Sequence, residues 1–204
     1  MLSSNAIESM LPAAASHKVA RRQDRTRERL LAESAGLFLT HGFAAVSVEQ
    51  IVAAAGIARS SFYRFFANRE EVLASIIRPV FEHGVTTMRE VARRPARQVI
   101  AGVLDMYLVQ WRTGSPALRL ATRMGGAYFR LFEDVHHEFR ASLTGLMRRV
   151  EPTGLLLNGS GEASARLIAR TAVPVLEVYA TSPRIDSQFH QTMTGLLVRP
   201  EVQS

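Results

Sequence analysis

The sequence predicts an all-α protein, with an N-terminal three-helix helix-turn-helix domain followed by a C-terminal helical domain. Three observations carry the prediction. Apolar residues recur at three- and four-residue spacing along most of the chain, and strand-type alternation with turn dipeptides is missing. Two short periodic segments meet at a glycine-containing turn, Gly56-Ile57. The chain has 204 residues, 47% of them hydrophobic, which is enough for one large or two small domains with a substantial core.

Taken in order, residues 1–20 read as a flexible N-terminal tail of Ser, Ala, Asn and Pro without a firm period. A first helix is predicted from about Asp24 to Thr40, with Leu30, Leu31, Leu37 and Phe38 inward and Gly42 as its stop. Ser47 with Gln50 fits a capping box that opens a second helix, Val48 to Ala55, with Val48 and Ile51 inward. Gly56 interrupts and Ile57 anchors the turn. A third short helix, about Ala58–Phe65, faces Phe62 and Phe66 to the core. Asn68 with Glu71 opens a fourth, which Pro79 should bend or end because proline lacks the helical donor.

Further helices are predicted at about Ala96–Arg112, Pro116–Arg123, Ala127–Val150, Glu162–Ala180 (bent at Pro174) and Asp186–Val198, with a loop at 151–161. The expected domains are residues 21–68 for the helix-turn-helix and 69–204 for the helical remainder.

The formal net charge of +7 favours a polyanionic partner without choosing among them. Its placement says more: residues 18–29 hold six cations against Asp24 and Glu28, a net +4. The lack of cysteine excludes disulfides, thiol catalysis and Cys-based zinc sites. The chain shows neither the cation-then-apolar order of a secretory signal nor a run of about 20 apolar residues. A cytoplasmic protein without a membrane partner is therefore expected.

No catalytic residue and no cofactor is expected either. Gly125-Gly126 and the stretch Asn158–Gly161 do not follow a strand, and a nucleophile elbow and an HExxH pair are both missing. Asp134, His137 and Glu138 have the right residue types for a metal, but no third ligand at clear spacing, so no metal site is expected.

The chemistry of residues 47–69 suits double-stranded DNA. In a helix-turn-helix the second helix of the pair enters the major groove. With Phe62 and Phe66 buried, Arg59, Ser60, Ser61, Tyr63 and Arg64 stay outside. Arg reads guanine edges, and Ser reads either kind of pair. Tyr63 can donate to a phosphate, while Arg64 and Arg69 can neutralise one. Ser47 and the amides behind it offer a phosphate site at a helix start. Arg21, Arg22 and Arg25 can follow the backbone or reach into the minor groove. The rival reading is a basic membrane-surface or scaffold protein without sequence-specific DNA recognition. It requires a basic helix with a bulky apolar face, and the first helix spends its modest apolar face on the core.

The detailed sequence resembles the DNA-binding domain of the TetR family of bacterial regulators. The matching stretches are Arg29-Leu30-Leu31, Leu37-Phe38, Gly42-Phe43, Ser47-Val48-Glu49-Gln50-Ile51, Ala55-Gly56-Ile57-Ala58-Arg59, Phe62-Tyr63-Arg64-Phe65-Phe66 and Asn68-Arg69-Glu70-Glu71-Val72, in one unbroken register. The resemblance implies phosphate contacts at Tyr63 and Arg69, and places Arg59, Ser60 and Ser61 near bases. Phe65 stands where the family often has His, and Arg69 where it most often has Lys. The resemblance also implies a ligand-responsive regulator, probing a palindromic operator as a homodimer and releasing it when a small effector binds.

Beyond Val72 no motif carries the resemblance. The resemblance implies a C-terminal helical ligand-binding and dimerisation domain whose last two helices pair across the dimer, so the expected dimer face is Leu167, Ile168, Thr171, Val175, Leu176, Tyr179, Phe189, Met193 and Leu197, the apolar stripes of those helices. Expected to line a mostly apolar effector pocket are Met106, Tyr107, Trp111, Met124, Tyr128, Phe132 and His136, with Arg112, Arg119 and Arg123 available to an anionic group.

Overall fold

The computed structural model describes residues 13–123 and 126–200; Met124 and most of the predicted tail lie outside the described residues. Eight α-helices make up the described chain: α1 (Ala13–His41), α2 (Val48–Ala55), α3 (Arg59–Phe62), α4 (Arg69–Val91), α5 (Val99–Arg123), α6 (Glu133–Val150), α7 (Gly161–Val178) and α8 (Ile185–Leu197). Among the described residues the only extended pairing is an isolated antiparallel bridge between Leu156 and Val198. No helix there is long and apolar enough to cross a membrane. The chain divides into two compact units, residues 1–73 and 74–204.

In the first unit α1 begins at Ala13, well before the predicted Asp24, so part of the expected tail is helical. The apolar period ends where burial ends, but a solvent-facing helix can continue without one, and Arg21, Arg22 and Arg25 are all exposed on it. Leu30, Ser34 and Phe38, four residues apart, form its buried stripe. Phe38 meets Phe43 with ring centroids 5.0 Å apart. Ile51, Ala55, Phe62 and Phe66 complete the core, each no more than 2% exposed. Val48 is only half-buried.

The turn between α2 and α3 depends on Gly56, whose φ of 61° lies in the left-handed region that a side chain disfavours. That conformation lets the Ile57 amide reach back to the Val52 carbonyl at 3.1 Å and closes α2. Helix α3 is shorter than the predicted Ala58–Phe65. After Phe62 the chain tightens, with the amides of Phe65 and Phe66 both donating to the Phe62 carbonyl at 2.9 and 3.0 Å. This brings Phe66 into the core.

In the second unit α7 packs against α5, α6 and α8. Ile168, Ala172, Val173 and Leu176 of α7 meet a core that also holds Leu143, Met147 and Val150 of α6 and Phe189, Met193 and Leu197 of α8. Helices α4 and α7 both run through their prolines, Pro79 and Pro174, which the sequence expected to bend or break them. Both prolines are exposed, so the ring and the missing amide donor face solvent and each helix continues past them. The break that does occur is at Gly114, with φ −165° and ψ 47°, two residues before Pro116. The predicted long helix starts at Glu133 rather than Ala127, after a 3-10 segment, Gly126–Leu131. Phe132 leaves helical dihedrals because its buried ring stacks on Phe81, 5.9 Å away.

Candidate nucleic-acid interface and effector cavity

The reading helix is built by short-range contacts. Ser47 caps α2: its hydroxyl accepts from the Gln50 amide at 3.2 Å, and its own amide donates to Gln50 Oε1 at 2.8 Å. This reciprocal box satisfies two donors that a helix start leaves open. It therefore spends the Ser47 amide, which a phosphate would otherwise use. Glu49 in the same turn pairs with Arg59 at 2.6 Å, both side chains being mostly exposed. A hydrogen bond from its own backbone amide, then one from Ser47, then the Arg59 charge hold the Glu49 carboxyl below the usual carboxylate range.

Arg59 also donates to the Tyr63 hydroxyl at 3.3 Å and lies 5.8 Å from the Tyr63 ring centre. Tyr63 is 49% exposed and braced edge-on by buried Phe62, with centroids 5.3 Å apart. Ser60 and Arg64 are exposed beside it, and Ser61 is half-buried. The predicted reading residues therefore share one solvent-facing surface.

That surface borders a groove of about 490 Å³ lined by Arg22, Gln23, Thr26 and Arg29 of α1, the Gly56–Ala58 turn, and Ser61, Arg64 and Phe65. None of Arg22, Arg29 and Arg64 has an ion-pair partner among the described residues. The groove is cationic and of a kind that suits a phosphodiester. Arg29 belongs to the cationic cluster of residues 18–29; Gln23 and Thr26 were not singled out by the sequence, and the four-residue spacing of Thr26 from Arg22 was the available signal. Arg27 is engaged elsewhere, 5.3 Å over the Phe66 ring.

Arg69 departs from its expected role. Its Nη1 donates to the carbonyls of Phe43, Ala44 and Val46 at 3.1, 3.2 and 2.5 Å, and its guanidinium sits 4.8 Å from the Phe43 ring centre. Those carbonyls belong to the 3-10 segment Phe43–Ala45 and its end, ahead of α2. Arg69 is thus a clamp that ties the start of α4 to the entry of the helix-turn-helix, and the structure does not present it as a free phosphate ligand. Asn68 and Glu71 do cap α4: Asn68 Oδ1 accepts from the Glu71 amide at 2.8 Å, and the Glu71 carboxylate accepts from the Ala67 amide at 2.6 Å.

The second unit holds two adjoining cavities that share His136, Arg140 and Ala169 in their walls. The inner one, about 170 Å³, is lined by Val80, Phe81, Tyr107, Gln110, Leu118, Ala121, Thr122 and Phe139 as well. The outer one, about 190 Å³, adds Leu143, Thr144, Ala165, Arg166 and Arg170. Of the predicted pocket residues, Tyr107 and His136 line the inner cavity. Phe132 lies behind its wall against Phe81, Met106 is buried in the core, and Trp111 and Tyr128 are half-buried and line neither cavity. Burial pushes the Tyr107 hydroxyl far up in pKa, and it stays protonated.

Two further expectations are corrected. Arg112, Arg119 and Arg123 do not face an effector: Arg112 pairs with Asp186, and Arg119 and Arg123 both pair with Glu177, at 2.6 and 2.7 Å. Five residues of the expected dimer face, Ile168, Leu176, Phe189, Met193 and Leu197, are 0% exposed inside the chain's own core, because α7 and α8 turn those stripes toward each other and toward α5 and α6. Leu167, Thr171, Val175 and Tyr179 are half-buried, and Val178 at 77% exposure and Leu196 at 40% are the apolar residues actually presented. Asp134 and Glu138 are held by Arg78 and Arg89, at 2.8 and 2.7 Å.

Comparison with known proteins agrees with this geometry. The profile described as "Bacterial regulatory proteins, tetR family" matches residues 30–76, which span the helix-turn-helix and the start of α4. The HTH-type transcriptional regulator EthR of Mycolicibacterium smegmatis is 27% identical over 164 residues, covering 75% of this chain and 67% of that protein. TcmR of Streptomyces glaucescens, also an HTH-type transcriptional regulator, is 32% identical over 96 residues, 46% of this chain and 42% of that one. Among solved structures, AibR in complex with isovaleryl coenzyme A and operator DNA has the same fold, with a TM-score of 0.69 and 15% identity over 86% of this chain and 99% of that one. Residues 30–76 therefore carry the helix-turn-helix of the TetR family of bacterial regulatory proteins, and the chain is similar to HTH-type transcriptional regulators over most of its length.

Proposed function

We propose that the protein is a ligand-responsive repressor: a homodimer that holds a palindromic operator through α3 and releases it when a small effector enters the α4–α7 cavity. One observation carries the reading. Arg59, Ser60, Tyr63 and Arg64 are exposed and Ser61 half-exposed beside a cationic groove, in a chain whose second unit contains a partly apolar cavity. In this reading Arg59, Ser60 and Ser61 touch base edges, and Tyr63 and Arg64 touch phosphates, together with Arg21, Arg22 and Arg25 of α1. Two copies present their α3 helices about 34–36 Å apart, one turn of B-DNA. The complex of AibR with both an acyl ligand and an operator supports a joint ligand and DNA cycle by analogy.

Release requires that the effector bind the DNA-free arrangement more tightly than the DNA-bound one, by a free energy equal to the loss of operator affinity. The reading assigns that coupling to α4, which carries the chain from one unit into the next. Acting on chromosomal DNA places the protein in the bacterial cytoplasm.

Selection of random duplex DNA by the purified protein, followed by sequencing, tests the reading. An enriched palindrome is expected. Enrichment of a single unpaired half-site removes the dimer, and no enrichment at low salt removes sequence-specific recognition.

A further inference from the structure

We propose that the effector is a compact amphiphilic anion: one ring or a short branched chain, carrying a carboxylate at one end and a hydrogen-bond donor within the apolar part. The proposal rests on the reading of the second unit as the effector-binding one.

Size comes from the inner cavity. At about 170 Å³ it is close to the engineered apolar cavity of about 150 Å³ that takes up benzene. Phe81, Tyr107 and Phe139 supply an aromatic wall. The wall is set by Gly84: a Cβ there would come within 2.4 Å of the Phe139 ring, so the ring occupies the space a side chain would take. The chamber holds a single ring and excludes a fused polycyclic skeleton.

The donor comes from Gln110, which lines the same chamber and is only 5% exposed. Its Nε2 donates to the Val80 carbonyl at 2.8 Å. A carbonyl can only accept, so this bond fixes the amide and leaves Oε1 on the other side. Oε1 is buried and has no hydrogen-bond partner among the described residues. Buried acceptors are normally satisfied. A hydroxyl on the occupant of the chamber satisfies this one.

The anionic end comes from the outer cavity, where Arg140, Arg166 and Arg170 converge. The acid nearby is Glu162, which is shared between Arg166 at 3.4 Å and Arg148 at 3.7 Å. Neither Arg140 nor Arg170 has an ion-pair partner among the described residues. His136 stands where the two cavities meet; burial first, and then the Arg140 and His137 charges, hold its pKa below the ordinary value. It is neutral at neutral pH, so the cation excess belongs to the arginines. All three arginines are exposed, so a carboxylate there keeps part of its hydration and avoids the cost of full burial.

The test uses the full chain and four probes: 4-hydroxyphenylacetate, its neutral amide, phenylacetate and p-cresol. Binding is read by calorimetry and by the emission of Trp111, the single tryptophan. The expected result is that 4-hydroxyphenylacetate binds about tenfold more tightly than its amide, the scale of one charge-assisted contact. The double variant Arg140→Gln with Arg170→Gln removes that ratio. Gln110→Leu removes the advantage of 4-hydroxyphenylacetate over phenylacetate while keeping the acid-to-amide ratio. If the amide equals the acid, or the ratio survives in the arginine double variant, the anionic class is wrong. If p-cresol binds and neither acid does, the anionic class falls and the effector cavity stands. If none of the four binds at millimolar concentration, both fall. Since Arg140 and Arg170 are exposed, loss of fold does not confound their variant, and a circular dichroism melt checks this.

Discussion

The two units fix their polar side chains over different distances along the chain. In the DNA-reading unit Ser47 is set by Gln50 three residues on, and Arg59 meets Tyr63 four residues on. In the helical unit Arg78 meets Asp134, Arg119 meets Glu177 and Arg112 meets Asp186 across 56, 58 and 74 residues. A site made by neighbours travels as a contiguous string of residues. A site made by distant partners leaves only a face and a period, without saying what lies opposite. The local contacts of the first unit can therefore be read from its sequence, and the second unit only to its class.

Breaking the core of one unit is the largest perturbation and tests whether the two are separable. Phe62→Ala removes a fully buried ring and should cost about 3–5 kcal/mol in the reading unit. DNA binding should be lost while probe binding in the helical unit persists; joint loss in calorimetry would show that the units do not fold separately. Next comes Arg69→Ala. Three carbonyls lose a charged donor, so stability in a urea melt should fall by about 2–3 kcal/mol. The salt slope of DNA binding should stay the same, and a slope smaller by one unit would return Arg69 to the phosphates.

Arg64→Ala should instead lower that slope by about one without changing the melt. Tyr63→Ala should weaken binding to every sequence by about 1 kcal/mol and leave the slope alone, since a neutral donor displaces no counterion. A change of preferred sequence in either variant would move that residue from the backbone to the bases.

The smallest effect is electrostatic. Hydrogen bonds from Arg78, then from the Val135 amide, bring the Asp134 carboxyl down to about 2. A depressed carboxyl contributes stability that is complete above its ordinary value near 3.8 and is lost as pH falls through about 2. NMR titration of Asp134 should give a midpoint near 2 in the wild type and near the ordinary value in Arg78→Gln.

The same contrast in distance explains what sequence reasoning missed. The capping box at Ser47, the Asn68 cap, the Gly56 turn and the buried pair Phe62 and Phe66 were legible because each is a local rule with a residue type attached. Arg69 was assigned to a phosphate because its partners are carbonyls 23 to 26 residues away, which carry no residue-type signal at all. In the helical unit the apolar stripe of α8 was found correctly, with Phe189, Met193 and Leu197 sharing a face, and was assigned to the wrong neighbour. Hydrophobic period tells that a face is covered, and an intramolecular helix covers it as well as a second subunit does. Arg140 and Arg170 escaped notice for the converse reason: nothing in sequence marks two arginines as lacking a carboxylate until the whole unit is folded.

The pair between Glu49 and Arg59 bears on how such a protein searches a chromosome. An arginine already matched to an acid adds little to the attraction for arbitrary duplex, so under the proposed function residence on random sequence would be set chiefly by the unmatched cations Arg22, Arg29 and Arg64 beside it. In the proposed reading Arg59 is freed only where a base edge displaces Glu49. Dwell time and address would then be carried by different residues, and variation along α1 would retune how long the protein lingers without changing where it finally stops.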